Sequence, residues 1–249
     1  MGRRDWVLLL YLWENMLNRS IVIGNGRSRN SVNLEHIASL GRTYGCNAVY
    51  RDFDSDVLVT VDNGMMHEIY CNYVGNAEVY FRNWNPLPWE MRDLLPVFGT
   101  VVENERKDAV EFTMNGASHA THITWLNRDL EPFLIDDARR PDNRDIEDWS
   151  TGTTAIRLAC EQGADEINLI GFDIGSTDDK VNNIYAGTRN YVSPDYSAEA
   201  AYNEKNSADN WNAQHEKNFT DFPDVSFIQW GPVIESWQVF DNVSFLNSA

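Results

Sequence analysis

The stretch SIVIGNGRS, residues 20–28, carries the strongest indication of the fold. Its first part, Ser20 to Ile23, is a short run rich in β-branched residues, which is typical of a buried strand. The turn 24–28, GNGRS, follows at once, and a moderately amphipathic stretch comes next with the apolar residues Val32, Leu34, Ile37 and Leu40. A strand, a glycine-rich turn and a helix in this order indicate the opening of an α/β unit.

Further apolar runs predict that this unit belongs to a doubly wound, mostly parallel sheet. The runs lie at residues 47–50, 56–61, 77–81, 167–172 and 225–230. A helix precedes the fourth run; it begins after Ser150 and is expected to end at Gly163, because glycine favours the residue that follows a helix. We therefore predict an α/β, Rossmann-like domain formed by residues 20–174 and 220–249.

Three regions fall outside this pattern. Residues 1–19 form an N-terminal extension whose apolar run WVLLLYLW is too short to span a bilayer, so we expect either a peripheral helix or a natural start at Met16. Residues 82–149 are irregular in pattern. Residues 175–219 are polar, rich in tyrosine and poor in aliphatic side chains, which favours a mobile lid inserted into the domain.

The net charge and the cysteine content restrict the binding partners and the cellular compartment that we expect. The chain has 20 basic and 38 acidic residues and a net charge of -18, which repels nucleic-acid backbones and anionic lipid. We therefore expect that the protein does not bind duplex nucleic acid and does not span a membrane. A homo-oligomer is compatible with the sequence. Three cysteines without metal spacing indicate a reducing compartment, hence the cytoplasm, or the host cytoplasm if the protein is viral.

The glycine-rich turn is the first candidate for ligand binding. Gly24 and Gly26 allow the backbone to approach a phosphate or a nucleotide sugar closely, and Ser28 can donate hydrogen bonds from the start of the following helix. Arg29 stands where a dinucleotide-binding GxGxxG turn needs its third glycine, which disfavours a dinucleotide. A turn that is merely tight is the alternative.

Other polar residues are expected at the same edge of the sheet, because they follow its predicted strands or open the later helix. In a parallel sheet their strand ends meet at one edge, which predicts a nucleotide pocket there. A helix cap or a turn residue is the alternative at each position. The candidates are Asn25, Asn47, Asp62, Thr151, Gly152 and Asp173.

One histidine, His215, falls in the predicted lid and is a candidate general base near neutral pH. If His215 does not serve, the lid acids Asp195 and Asp209 are the next candidates. His119 and His122 are spaced as HxxH, but in a strand this spacing directs the two side chains to opposite faces. We therefore predict no metal site.

Three segments together resemble glycosyltransferase family 42, the bacterial sialyltransferases that use a CMP-sugar donor. The opening loop of that family reads GNGPSL, and IGNGRSR stands here at residues 23–29. A second element reads RCNQFY, and GCNAVY stands at residues 45–50. The late element is TSG, a helix and a strand that ends in GID; here STG begins at Ser150 and the strand ends at Asp173.

The resemblance implies a role for several of these residues. Asn25, Asn47 and Asp62 would surround the nucleotide and phosphate of the donor, with Asp62 standing where the family has asparagine. Thr151 falls on a serine of the nucleotide site. Tyr185 matches the second of two lid tyrosines that stabilise the departing phosphate, and the first is absent from its expected place near Gly175.

The reaction implied is sugar transfer from a nucleotide-sugar donor to a hydroxyl of a glycan or small-molecule acceptor, with no required cofactor. The lid histidine of the family has no aligned match, and His215 lies several residues later. Similar patterns occur in the 6-hydroxymethylpterin pyrophosphokinase-like group and in uncharacterised proteins of tailed phages, to which GCNAVYRDF is closest.

These patterns leave two alternatives to the sugar transferase. One is a pyrophosphoryl-transfer enzyme, which would need magnesium, with Asp62 and Asp173 as candidate ligands. The other is a non-catalytic nucleotide-binding or virion-associated protein that keeps the fold without the base.

Overall fold

The computed structural model describes residues 17–82, 85–103, 109–118, 120–126, 130, 132–135, 149–175, 178–197 and 208–246. Most of the predicted N-terminal extension lies outside these residues, as do His119 and the side chain of His122.

The described residues form twelve strands and five α-helices. The strands are β1 (Arg19–Ile23), β2 (Arg42–Cys46), β3 (Val57–Thr60), β4 (Glu78–Arg82), β5 (Asn85–Pro88), β6 (Gly99–Glu103), β7 (Ala109–Met114), β8 (Thr121–Leu126), β9 (Phe133–Ile135), β10 (Glu166–Ile170), β11 (Ser226–Trp230) and β12 (Val243–Leu246). The helices are α1 (Leu34–Ala38), α2 (Asn63–Asn72), α3 (Leu95–Phe98), α4 (Thr151–Glu161) and α5 (Ala208–Asp221).

The central sheet confirms the predicted α/β class with a doubly wound, parallel sheet. Eight of the described strands pair in the order β12-β11-β10-β1-β2-β3-β4-β9, and each neighbouring pair is parallel. The chain runs from β1 toward β4 and later returns to the other side of β1 with β10. This reversal creates a switch point at the carboxyl ends of β1 and β10, the place where open α/β sheets bind ligands.

Helices cover both faces of the central sheet, as burial of parallel strands requires. On one face α4 and α5 pack against each other, and Phe219 of α5 lies in the same apolar cluster as Val57 and Val59 of β3. Leu58, between these valines, points to the other face and packs with Met65 of α2. None of the helices in the described ranges is long and apolar enough to cross a membrane.

The middle of the chain, which is irregular in its sequence pattern, contains a second sheet. Its order is β5-β8-β7-β6; β5 and β8 are parallel, and the other two pairs are antiparallel. Val110, Ile123 and Trp125 are its buried core. Three core side chains spread over a polar region are too few to produce a clear period in the sequence.

Two sequence predictions about secondary structure are wrong. The second strand is β2, and residues 47–51 form a 3-10 turn, because Asn47 adopts a left-handed backbone conformation with φ of 53° that a strand cannot continue. The predicted lid is also too long at its C-terminal end. The last part of the predicted lid is helix α5. Its residues His215 and Phe219 are buried, so α5 packs on the core.

A close backbone contact joins β1 to β10 beyond their last paired residues. The N–H of Gly24 donates to the carbonyl of Ile170 at 2.7 Å, and the N–H of Gly26 donates to the carbonyl of Gly171 at 2.9 Å. A Cβ at position 24 would lie 2.6 Å from the oxygen of Gly171, and one at position 26 would lie 2.6 Å from a carboxylate oxygen of Asp173. Packing of the two strand ends is therefore sufficient to explain both glycines.

We expect Gly24→Ala to lower the free energy of unfolding by about 2 kcal/mol, because its methyl group would overlap a backbone oxygen that cannot move aside. Denaturant unfolding measures this change. Gly64→Ala is the matched control: position 64 lies in the first turn of α2, where the added Cβ meets only the end of the Asn190 side chain. Equal stability of the two variants would contradict the packing explanation.

Candidate functional site

Three polar side chains meet at the carboxyl edge of the central sheet. Asn47 Nδ2 donates to Asp62 Oδ2 at 2.9 Å, and Thr151 Oγ1 donates to Asn47 Oδ1 at 3.0 Å. Thr151 Oγ1 also lies 3.4 Å from Asp62 Oδ2 and accepts from the N–H of Val61 at 3.3 Å. The structure thus brings together the ends of β2 and β3 and the start of α4, as the sequence predicts.

Asn47 is the centre of this arrangement. Its left-handed backbone, which asparagine tolerates better than most residues, turns the chain out of β2. Its side-chain oxygen accepts from Thr60 as well as from Thr151, and its nitrogen donates to Asp62. Most of its hydrogen-bonding capacity is therefore used within the protein, and Asn47 positions Asp62.

Asp62 precedes α2, where a carboxylate ordinarily caps the helix. Its side chain makes no capping hydrogen bond. Oδ2 accepts from Asn47 and lies near the Thr151 hydroxyl, while Oδ1 has no hydrogen-bond partner in the described part of the chain, and the residue is exposed. Asp62 therefore occupies the N-cap position of α2 without capping the helix through its side chain.

Asn25 joins the same site through Tyr191, a residue that the sequence did not single out. Asn25 Nδ2 donates to Tyr191 Oη at 3.1 Å, and the N–H of Ala48 donates to the same oxygen at 3.3 Å. Burial, and secondarily the charge of Asp62, raises the pKa of Tyr191 above its ordinary value, so the hydroxyl stays protonated. We call Asn25, Asn47, Asp62 and Thr151 the edge cluster.

Residues 178–197, which we call the covering segment, lie over the loops that carry the edge cluster. Arg27 pairs with Asp178 at 2.8 Å, and Arg51 donates to Thr188 Oγ1 at 2.7 Å. The N–H of Ile184 donates to the carbonyl of Asn25 at 2.9 Å. The part of the predicted lid that the structure describes before α5 is therefore docked on the site.

Tyr185 is placed differently from Tyr191. It is buried, and its hydroxyl donates to Asp52 Oδ1 at 2.6 Å and accepts from Arg29 at 3.0 Å. Arg29 also forms an ion pair with Asp52. Burial, followed by the hydrogen bond to Asp52, raises the pKa of Tyr185 above its ordinary value. Its hydroxyl is therefore engaged by an ion pair between a buried arginine and a half-exposed aspartate.

Ser28, Gly152 and Asp173 form contacts beside the edge cluster rather than within it. The N–H of Ser28 donates to Asp173 Oδ2 at 2.8 Å, and the Ser28 hydroxyl donates to Asp173 Oδ1. A Cβ on Gly152 would lie 2.7 Å from a ring carbon of Phe172, so this glycine makes room for the aromatic ring. These three residues hold the strand ends and α4 together.

His215 is buried within α5 and only 2% exposed. Its ring packs against Trp237, Phe172 and Phe219, with centroid distances of 4.7, 5.3 and 6.1 Å. Burial lowers the pKa of His215 to about 3, and Nδ1 has no hydrogen-bond partner among the described residues. This position argues against His215 as a general base, because no substrate hydroxyl can reach the ring while α5 stays packed.

The remaining candidate bases lie at the surface. Asp195, in the covering segment, and Asp209, in the first turn of α5, are both exposed. Within the ranges that the structure describes, no group of three or more His, Cys, Asp or Glu side chains is arranged to hold a metal ion.

Comparison with protein-family models finds no matching family, and comparisons with curated proteins and with solved structures give no match either.

We expect acidification to destabilise the protein partly through His215. The unfolded chain takes up a proton on this imidazole below about pH 6.5 and the folded protein does not, so about 2 kcal/mol of stability is lost by pH 5 relative to pH 8. His215→Phe should remove this loss and flatten the profile. Denaturant unfolding at pH 8, 7, 6 and 5 measures the difference. His36→Phe, at an exposed position, is the matched control. A His215→Phe profile as steep as the wild-type profile would contradict the buried neutral state.

Tyr185→Phe is expected to lower the free energy of unfolding by about 1–3 kcal/mol, because the buried guanidinium of Arg29 would lose a hydrogen-bond partner. Tyr196→Phe removes an exposed hydroxyl and should leave stability unchanged. Denaturant midpoints compare the two variants. If Tyr185→Phe unfolds like the wild type, its hydroxyl has no structural role and is available for chemistry.

Proposed function

We propose that the protein is a nucleotide-sugar-dependent glycosyltransferase of sialyltransferase-like type, which binds its donor at the edge cluster. The observation that carries this proposal is the hydrogen-bonded group of Asn47, Asp62 and Thr151, to which Asn25 is joined through Tyr191 and the N–H of Ala48. It lies at the carboxyl ends of parallel strands beside the switch point, where α/β sheets bind nucleotides. The CMP-sugar donor is inferred from the resemblance alone.

The covering segment supports the same proposal. The resemblance matches Tyr185 to the second of two lid tyrosines and leaves the first unmatched, while Tyr191 lies later in the same segment with its ring 5.8 Å from that of Tyr185. The hydroxyl of Tyr191 contacts the edge cluster through Asn25, so Tyr191 is better placed than Tyr185 to contact a donor bound there. A segment docked over the site would also exclude water and so limit hydrolysis of the donor.

The chemistry would proceed by attack of an acceptor hydroxyl on the anomeric carbon of the donor sugar. A new bond forms between that carbon and the acceptor oxygen, the bond to the phosphate oxygen breaks, and the nucleotide leaves with the bonding electron pair. The acceptor proton passes to a base. Because His215 is buried, the exposed carboxylates of Asp195 and Asp209 are the better candidates for the base.

The pyrophosphoryl-transfer alternative finds less support in the geometry. It would use Asp62 and Asp173 as magnesium ligands, but Asp173 is held by both donors of Ser28, while Asp62 is held by Asn47 and Thr151. The two carboxylates thus belong to separate hydrogen-bonded groups.

A second candidate function is nucleotide binding without sugar transfer. It is favoured by the burial of His215 and by the engagement of the Tyr185 hydroxyl, because both predicted catalytic groups are removed from the edge cluster. Product analysis with a labelled CMP-sugar donor distinguishes the two functions once binding is established.

Calorimetric titration with CMP and with a CMP-sugar tests the proposal. A separate titration with ATP and magnesium tests the pyrophosphoryl-transfer alternative. We expect CMP-selective binding that Asn25→Ala weakens about tenfold or more, since hydrogen bonds to charged ligands contribute about 1.5–3 kcal/mol each. The Asn25→Ala substitution should lower the free energy of unfolding by less than about 1.5 kcal/mol, which is the contribution of one neutral hydrogen bond. Asn115→Ala, in an exposed turn, is the matched control. Magnesium-dependent binding of ATP alone, or no nucleotide binding, would contradict the proposal.

A further inference from the structure

Two oxygen atoms of the edge cluster receive no hydrogen bond from the described part of the protein. Oδ1 of Asn25 is buried without a partner, and Oδ1 of Asp62 is unpartnered at an exposed residue. Both atoms are acceptors, and Asp62 is a carboxylate. Ligand atoms that fit against them are therefore hydrogen-bond donors, such as hydroxyl groups.

The nearby arginines do not reverse this preference, because each is already paired. Arg29 pairs with Asp52, Arg51 pairs with Glu68 at 2.6 Å, and Arg27 pairs with Asp178 at 2.8 Å. A phosphate placed against Asp62 would meet a like charge, with these three guanidinium groups held by other carboxylates. Such an approach is unfavourable, because like charges repel at short range.

A hydroxyl of the protein already occupies this edge. Tyr191 Oη accepts from Asn25 Nδ2 and from the N–H of Ala48, the residue next to Asn47. The edge is therefore shaped to receive a hydroxyl oxygen, and the free oxygen of Asp62 adds a charged acceptor beside it.

We propose that Asp62, positioned by Asn47 and Thr151, binds the neighbouring hydroxyl groups of a sugar ring, and that the phosphate of the ligand lies away from it. The inference rests on the proposed function for the nucleotide nature of the ligand, and it differs from the phosphate role that the resemblance implies for Asp62. Carboxylates at strand ends of α/β sheets commonly bind ribose hydroxyls in this way. The hydroxyls have two sources here, the ribose of the nucleotide or a free monosaccharide such as an acceptor.

Calorimetric titration of wild type, Asp62→Asn and Asp224→Asn with CMP, 2′-deoxy-CMP and galactose tests the inference. We expect wild type to bind CMP about tenfold more tightly than 2′-deoxy-CMP, because a site built for a hydroxyl loses a charge-assisted hydrogen bond with the analogue. In Asp62→Asn the ratio should fall to about threefold or less, because neutral hydrogen bonds are roughly half as strong. Asp224→Asn makes the same charge change in an exposed turn before β11 and should keep the wild-type ratio.

The galactose titration separates the two sources. Equal affinity for both nucleotides, together with galactose binding that Asp62→Asn weakens about threefold or more, supports the inference and assigns the hydroxyls to a monosaccharide. Asp62→Ala, which removes the acceptor entirely, should weaken binding of the same probe further. Melting temperatures of all variants establish that they are folded.

The outcomes also separate this inference from the proposed function. Nucleotide binding without any dependence on Asp62 for any probe overturns the hydroxyl-binding role and leaves the nucleotide site standing. Galactose binding that depends on Asp62, without CMP binding, overturns the nucleotide function and supports the hydroxyl-binding role. The absence of binding for every probe overturns both.

Discussion

The site depends on the backbone hydrogen bonds of Gly24 to Ile170 and of Gly26 to Gly171. They continue the pairing of β1 and β10 past Ile23 and Ile170, so the turn that carries Asn25 leaves the sheet in one fixed direction. Arg29, buried in the 3-10 turn Arg27–Ser31, donates to the carbonyl of Gly24 at 3.3 Å and adds a side-chain support to the same turn. Any side chain that separated the two strand ends would move Asn25 relative to Asn47 and Asp62.

A polar seam between α4 and α5 supports the other end of the edge cluster. Gln214 Oε1 accepts from the N–H of Ser150 at 2.8 Å and from Thr153 Oγ1 at 2.6 Å, and Asn218 Nδ2 donates to the carbonyl of Thr153 at 2.9 Å. These buried hydrogen bonds fix the first turn of α4 and therefore the position of Thr151. The helix that contains His215 thus supports the site by packing and hydrogen bonding, not by contact with a ligand.

Charge near the site is distributed in pairs. In a protein with a net charge of -18, the arginines of the strand-end loops are neutralised locally by Asp52, Glu68 and Asp178. These pairs also attach the covering segment, since Arg51 binds Glu68 of α2 and Thr188 at once. These arginines thereby attach the covering segment, and the polar groups of the edge cluster are neutral amides, one hydroxyl and one carboxylate with an unpaired oxygen.

The amino-acid pattern was sufficient for the parallel α/β class and for the meeting of Asn47, Asp62 and Thr151, because apolar runs mark buried strands and parallel strands present their ends at one edge. It was insufficient for the small sheet built around Trp125, whose core residues are sparse, and for the end of β2 at Asn47. Packing alone revealed Tyr191 in the edge cluster and His215 in the core. Both assignments depend on contacts between residues far apart in the chain, Tyr191 with Ala48 and His215 with Trp237 and Phe172, and such contacts leave no local periodicity to detect.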